Sequence, residues 1–170
     1  MGMFDNVYVD SRILKDLDIS CPECKEFPKN SLQTKDFNNL MEDYYLAYDE
    51  NKAIRLFKLD EPHDKRFWHT YTKEEIEKMR QEEKDLNQKN KIFLKSLHDM
   101  YIESGGHWTH EAYLPENRRK RDMGELPHQI CNFYDICSCK GKNNWIEVEV
   151  KFTDGVAVSV IKNPDKVDNI

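Results

Sequence analysis

Cys21, Pro22, Glu23 and Cys24 carry the sharpest chemical signal in the chain. Two thiolates three residues apart, with proline pre-setting the turn, can both reach one tetrahedral ion, as in a zinc-ribbon knuckle. Such a knuckle is half a site. Cys137 and Cys139 are the candidate second half, because alternate residues of a strand point to one side and Gly141 would let backbone amides approach the sulfurs. The expectation is a structural zinc site on Cys21, Cys24, Cys137 and Cys139. The bland alternative leaves Cys131, Cys137 and Cys139 as small strand residues and Cys21 and Cys24 as free loop thiols. A thioredoxin-type redox pair fits less well, since no βαβ pattern follows the first two cysteines.

Other residues admit other chemistry. A metal-dependent hydrolase or nuclease would have to be built on His107, His110, His128 and Asp135. His107 and His110 lack the i, i+4 spacing of a helical metal pair, and no nucleophile and base complete an arrangement with them. The chain has no phosphate-cradling glycine loop and no G-x-S-x-G motif. Arg118, Arg119, Lys120 and Arg121 make a compact basic run in an acidic chain, read either as a solvated loop or as a local phosphate contact. Phe67, Trp68 and Tyr71 are aromatic residues beside a charged stretch, the composition of a partner anchor.

The elements that must position these residues are legible in outline. From Trp145 onward, Ile146, Val148, Val150 and Phe152 alternate with polar residues. The pattern stops at Asp154-Gly155 and resumes through Val156, Val158 and Val160. That is a β-hairpin with a two-residue type I′ turn, which would pair Phe152 with Ala157 and Val150 with Ser159, placing Phe152, Val150, Val148 and Ile161 on one face. Residues 129–139 read as the preceding strand, with Cys131, Phe133, Asp135, Cys137 and Cys139 on one side, and 140–144 as its turn. Residues 41–48 and 53–59 make a second hairpin, and 3–9 a short first strand.

Between them lies a charged helix. Thr72 and Glu75 form a capping box, and Glu74 and Glu77 sit near the positive end of the helix dipole. Ile76, Met79, Leu86, Phe93, Leu97, Met100 and Tyr101 keep a three-four spacing that Glu83 and Asn90 interrupt, and Gly105-Gly106 ends it. Unbroken, it would run for about 48 Å, so it should break near 85–90 or project. It reads as a solvated helix packed along its second half; a dimerising coiled coil is the alternative. The sequence leaves the oligomeric state open.

Composition bounds the classes. The 170 residues suit one domain with an inserted part. A net charge of −6 and a pI near 5.6 disfavour a general nucleic-acid surface. Mean hydropathy of −0.87 and the lack of any long apolar run predict no membrane span and a cytoplasmic protein. Five cysteines, an odd count, favour thiols or metal ligands over a disulfide framework.

The opening Met1-Gly2-Met3-Phe4-Asp5, the block Leu32-Gln33-Thr34-Lys35-Asp36-Phe37, the strand through His128 and Ile136, and the ending with Trp145, Glu147, Phe152, Asp154-Gly155 and Val158 resemble a family of small uncharacterised proteins of bacteriophage and prophage genomes. The resemblance covers 1–59 and 127–162; residues 60–126 depart from it. It implies a phage origin, host cytoplasm, an α+β or mostly β body and a CPxC-like pair in the early loop, with no shared activity.

The expected architecture is therefore α+β: an antiparallel sheet from the N- and C-terminal hairpins (1–59 and 127–162), a helical insertion (60–126) and a polar tail (163–170). The expected function is that of a non-enzymatic phage accessory protein that binds a host protein or a small ligand, in host takeover or counter-defence. A zinc-stabilised nucleic-acid-binding module and a metal-dependent hydrolase or nuclease are the alternatives.

Overall fold

In the computed structural model, which describes residues 3–28, 31–37, 41–88, 99–123 and 128–162, the alternating segments pair into one sheet drawn from both ends of the chain. The N-terminal part supplies β1 (Asp5–Val9), helix α1 (Ser11–Asp16), β2 (Leu32–Thr34), β3 (Asp43–Tyr48) and β4 (Ile54–Leu59). Between lie β5 (Trp68–Thr70), α2 (Lys73–Gln88) and β6 (Gly106–Trp108). The C-terminal part supplies β7 (Lys120–Asp122), β8 (Gln129–Cys139), β9 (Lys142–Thr153) and β10 (Val156–Lys162). The chain divides into a sheet unit, Met1–Asp60 with Arg119–Ile170, and a second unit, Glu61–Arg118. Among the described residues no helix is long and apolar enough to cross a membrane.

The sheet runs β10-β9-β8-β2-β1-β3-β4-β7, and a further pairing of β10 with β4 closes it into a barrel. Arg55 sits opposite Val156 at the closure, and the Leu56 amide donates to the Gly155 carbonyl at 2.9 Å. The pairings are antiparallel apart from β1 with β3, which is parallel. The antiparallel sheet and both hairpins match the sequence pattern; the closure and the parallel pair are additions to it. α1, which the sequence pattern does not mark, starts at Asp10, whose side chain accepts from the Arg12 amide, and it buries Ile13 and Leu14.

The barrel interior is filled by alternate residues of its strands. Phe133 from β8, Ile146, Val148, Val150 and Phe152 from β9, and Tyr44, Leu46 and Leu56 from the β3–β4 hairpin are all buried. The β9–β10 turn is as expected: Asp154 and Gly155 both take positive φ, and Phe152 pairs with Ala157. Beyond that pair the register departs from expectation. It shifts between Ala157 and Ser159, so Val150 lies opposite Val160 rather than Ser159. The bulge exchanges the faces of the last residues: Val160 packs on the core and Ile161 is turned outward. The β8–β9 turn is also shorter than 140–144. Lys140 and Gly141 alone make it, both at positive φ, and Cys139 pairs directly with Lys142.

The second unit is organised by a two-stranded sheet, Trp68 opposite Trp108 and His69 opposite His107. The capping box forms: the Thr72 amide donates to Glu75 Oε2 at 2.8 Å and the Glu75 amide to Thr72 Oγ1 at 3.2 Å. Glu75, Ile76, Met79 and Glu83 form the half-buried stripe of α2. Continuity of the helix through 89–98, the side chain of Leu86 and the tail 163–170 lie outside the described residues. β7 places the return to the sheet unit at Arg119, ahead of position 127, because Lys120–Asp122 pairs with β4.

Candidate metal centre

The loop after α1 carries Cys21 and Cys24, and the far end of β8 carries Cys137 and Cys139. A tight turn shapes the first pair: the Lys25 amide donates to the Cys21 carbonyl at 3.0 Å, the Cys21 amide to the Glu26 carbonyl at 2.9 Å, and Lys25 takes a φ of 64°. The second pair is aimed by strand alternation, on the same side as the buried Cys131 and Phe133. The two halves meet. Cys21 Sγ lies 3.6 Å from Cys139 Sγ, Cys24 Sγ lies 3.6 Å from Cys137 Sγ, and all four sulfurs fall within 4.8 Å of one another.

That spacing excludes disulfides, whose sulfurs stand about 2.05 Å apart, and all five cysteines are free. A tetrahedral ion with metal–sulfur bonds of about 2.3 Å sets its ligand sulfurs about 3.8 Å apart, close to the 3.6 Å of the two cross-pairs. The four cysteines therefore form a cluster that can hold a metal ion, Cys21 buried and the other three half-buried. Among the described residues they are the group so arranged.

The surroundings favour thiolate at Cys21. The backbone amides of Cys24 and Glu23, directed at Cys21, hold its thiol down to about 6 against the cost of burial. Those amides come from the knuckle itself, not from Gly141. Cys137 is pushed up to about 12 by hydrogen bonds with Cys24 and Cys21, and Cys139 is raised by burial and by Cys21. The bias is thus unequal, down at Cys21 and up at Cys137 and Cys139, and a bound cation would favour the thiolate form of its ligands.

Three further groups complete the site. Asn144 Nδ2 donates to Cys139 Sγ at 3.1 Å from its position opposite Cys137 on β9. Glu23 accepts from Lys142 Nζ at 3.2 Å and pairs with Lys140 Nζ at 3.5 Å, joining the knuckle to the β8–β9 turn. Asn144 and Lys142 are hidden by the sequence reading because it counts them as turn; a two-residue Lys140-Gly141 turn would have placed both on the strand beside the cysteines. Cys131 stands apart, fully buried in the barrel core, where burial raises its thiol to about 12.

Within the sheet unit, His128 and Asp135 do not meet. His128 Nδ1 meets Thr153 Oγ1 at 3.0 Å, while Asp135 accepts from the Ile136 amide seven residues along the same strand, roughly 23 Å away. His107 and His110 belong to the second unit, where the His107 ring lies 5.0 Å from that of His69 and 5.4 Å from that of Tyr71. His69 Nε2 is held by Glu75 at 2.9 Å. Phe67, Trp68 and Tyr71 are half-buried rather than free anchors: Trp68 packs edge-on against Trp108 at 5.0 Å, with Lys65 Nζ over both rings. The basic run is divided. Arg118 is buried and ends the second unit, Arg121 Nε bonds Asp60 Oδ1 at 2.5 Å, and Lys120 Nζ lies 4.8 Å over the Tyr45 ring. Strand alternation in β7 sends neighbouring cations to different partners.

The chain matches no family model, no curated protein and no solved structure.

Proposed function

We propose that this protein is a non-enzymatic binding protein whose barrel is fixed by a structural zinc ion on Cys21, Cys24, Cys137 and Cys139. The observation that carries the reading is the convergence of four sulfurs within 4.8 Å from loop and strand segments at opposite ends of the chain. Four thiolates complete a tetrahedral shell and leave no open position for water or substrate, which is the pattern of structural sites. When bound, the ion supplies only charge and cross-linking. The chain's own residues then do the rest: the Glu23 and Cys24 amides and Asn144 donate to sulfur, and Glu23 ties the knuckle to Lys140 and Lys142.

The resemblance of the Met1–Asp5 opening and of the Leu32–Phe37 block to phage proteins supports an accessory role in an infected cell, with a host protein or a small ligand as the target. The separation of His128 from Asp135 and the divided basic run give the hydrolase and nucleic-acid readings no comparable support.

The test is elemental analysis of the purified, untagged protein beside Cys21→Ser and Cys137→Ser. Near one zinc per chain, lost in both variants together with thermal stability, is the expected result. Wild-type protein free of metal overturns the zinc clamp, and zinc retained in both variants moves the site to the histidines. For the binding role, the full chain produced in bacteria is expected to co-purify with one host protein in stoichiometric amount; metal-dependent turnover of a phosphodiester by the isolated chain would overturn it.

A further inference from the structure

Lys65 opens the 3-10 turn Lys65–Phe67 that leads into β5, and the Trp68 amide closes that turn on the Lys65 carbonyl. Side chains at i and i+3 of such a turn stand over one another, so the Lys65 side chain is carried onto the Trp68 ring. Across the two-stranded sheet, Trp108 of β6 pairs directly with Trp68. The two ring centroids lie 5.0 Å apart with their planes at 77°, which makes an aromatic corner. Lys65 Nζ sits in that corner over both rings, 5.3 Å from the Trp68 centroid and 5.4 Å from that of Trp108.

Backbone contacts hold the walls of the corner. The Thr109 amide donates to the Phe67 carbonyl at 2.9 Å, tying the residue before Trp68 to the residue after Trp108. The Trp68 indole lies against Gly106: a Cβ there would come within 2.8 Å of Trp68 Nε1, so glycine is what lets the ring approach β6. Both tryptophans are half-buried, whereas Lys65 is exposed. The rings are therefore the fixed part of the corner, and the cation is its outer, movable part. All of these residues belong to the second unit, and none to the cysteine cluster.

We propose that Trp68 and Trp108 form a binding site for an alkylated ammonium group, in which Lys65 stands as an internal substitute for the ligand. A cation over an indole face is drawn by the quadrupole of the ring, and quaternary ammonium is the group that such faces recognise when they come together. The lysine ammonium is compact and strongly hydrated, so it gives up water reluctantly. A trimethylammonium group spreads the same charge behind methyls, which also bury apolar surface against the rings. A ligand of that class displaces Lys65 by rotation of one exposed side chain, with the backbone left in place. Its source is a free small cation or a methylated lysine of a protein, and the rings read the same group in both. The site stands on this corner alone and depends neither on the zinc clamp nor on capture of a host protein.

The chain holds three tryptophans, and Trp145→Phe leaves Trp68 and Trp108 as the reporters of intrinsic fluorescence. Choline is titrated into the full-length protein with that substitution, at an ionic strength held constant with sodium chloride. A saturable change is expected. Dimethylbutanol, in which a neutral tert-butyl group replaces the trimethylammonium, should bind more weakly on the order of tenfold. Lys65→Gln, a change at an exposed position, should tighten choline binding by roughly threefold or more, because the competing cation is gone. A short peptide with one trimethyl-lysine, titrated beside the same peptide with unmodified lysine, separates the sources. Tighter binding of the methylated peptide than of choline assigns the site to a protein side chain, and equal or weaker binding assigns it to a small cation. Equal binding of choline and dimethylbutanol overturns the proposal, since the corner is then only an apolar patch. Choline binding that Lys65→Gln leaves unchanged or weakens also overturns it, as does a failure to saturate both with and without that substitution.

Discussion

Cys21 and Cys139 stand 118 residues apart in the chain and bring their sulfurs to 3.6 Å. The contact joins the loop after α1 to the end of β8, as do Cys24 with Cys137 and, on the surface, Glu23 with Lys140. A cross-link there closes a loop of 118 residues, so its worth lies in the entropy denied to the unfolded state as much as in the bonds themselves.

Metal removal is therefore expected to loosen the sheet unit. At free zinc a thousandfold above Kd the ion contributes about 4 kcal/mol, so chelation should lower Tm by roughly 10 °C in a chain of this size. The pH dependence follows from competition with protons. Thiolates bind metal and thiols do not, so the stabilisation is present near neutrality and lost as pH falls. Calorimetry with and without chelator, repeated at falling pH, checks both; a chelator-insensitive Tm would show that the barrel holds the cysteines unaided.

Cys131 offers the control. It lies in the core among Phe133, Val150 and Phe152, outside the cluster. Cys131→Ser buries a hydroxyl in apolar surroundings, and a loss of about 1–3 kcal/mol is expected with the metal content unchanged. Denaturant unfolding beside elemental analysis separates the two effects. Loss of metal in this variant would show that the core and the cluster are coupled.

The bulge after Ala157 predicts unequal neighbours. Val160 packs on the core and Ile161 is 48% exposed, so Val160→Ala should cost about 1 kcal/mol and Ile161→Ala less than about 0.5 kcal/mol. An uninterrupted ladder would reverse the order. Urea unfolding of the two variants decides.

Local patterns were legible and long-range ones were not. The Asp154-Gly155 turn, the Thr72–Glu75 box and the two cysteine pairs are written in spacings of a few residues, and each forms. The bulge is not, because one extra residue in β10 leaves the alternation of Val156, Val158 and Val160 intact while moving Ile161 outward. The pairing of β1 with β3 and the register pair of Arg55 with Val156 depend on strands far apart in sequence, with no turn to fix their register. β7 was hidden by its charge: Lys120, Arg121 and Asp122 are all exposed, and nothing but the ladder with Phe57, Lys58 and Leu59 marks them as strand. For the site, the cysteines could be named in advance, whereas Asn144 could not until the β8–β9 turn was known to hold only two residues.

Asp49 gives an acid-dependent prediction. Its carboxylate accepts the Asn51 and Ala53 amides at 2.9 Å each and meets Arg55 Nε at 3.3 Å, holding the β3–β4 turn. The Ala53 amide foremost, with Arg55 and Asn51, keeps its pKa below the ordinary 3.8. A carboxyl whose folded pKa is depressed stabilises the fold above its unfolded value and ceases to do so as pH falls through the folded one. Asp49→Ala should thus be less stable than wild type at pH 7, and the gap should close as the pH drops below about 4. Thermal unfolding across that range checks it; a gap that persists at the acid end would assign the turn's stability to something other than the ionised carboxylate.

Gly141 and Gly155 occupy the same place in two short hairpin turns, at φ of 73° and 78°, yet they differ in what surrounds them. A Cβ on Gly141 would meet nothing within 4 Å, whereas one on Gly155 would come within 2.8 Å of the Met123 carbonyl oxygen, backbone that cannot step aside like a side chain. Gly155 also lends its carbonyl to the Leu56 amide at the barrel closure. Gly141→Ala should therefore cost only the left-handed conformation, about 1 kcal/mol. Gly155→Ala adds displacement of 122–123 and strain at the β4–β10 seam, for a total of roughly 2–4 kcal/mol. Hydrogen exchange at the Leu56 amide tests the location of that cost: it should speed up in Gly155→Ala and stay at the wild-type rate in Gly141→Ala. Equal exchange in both variants would mean that the closure does not depend on the close approach of Gly155 to Met123.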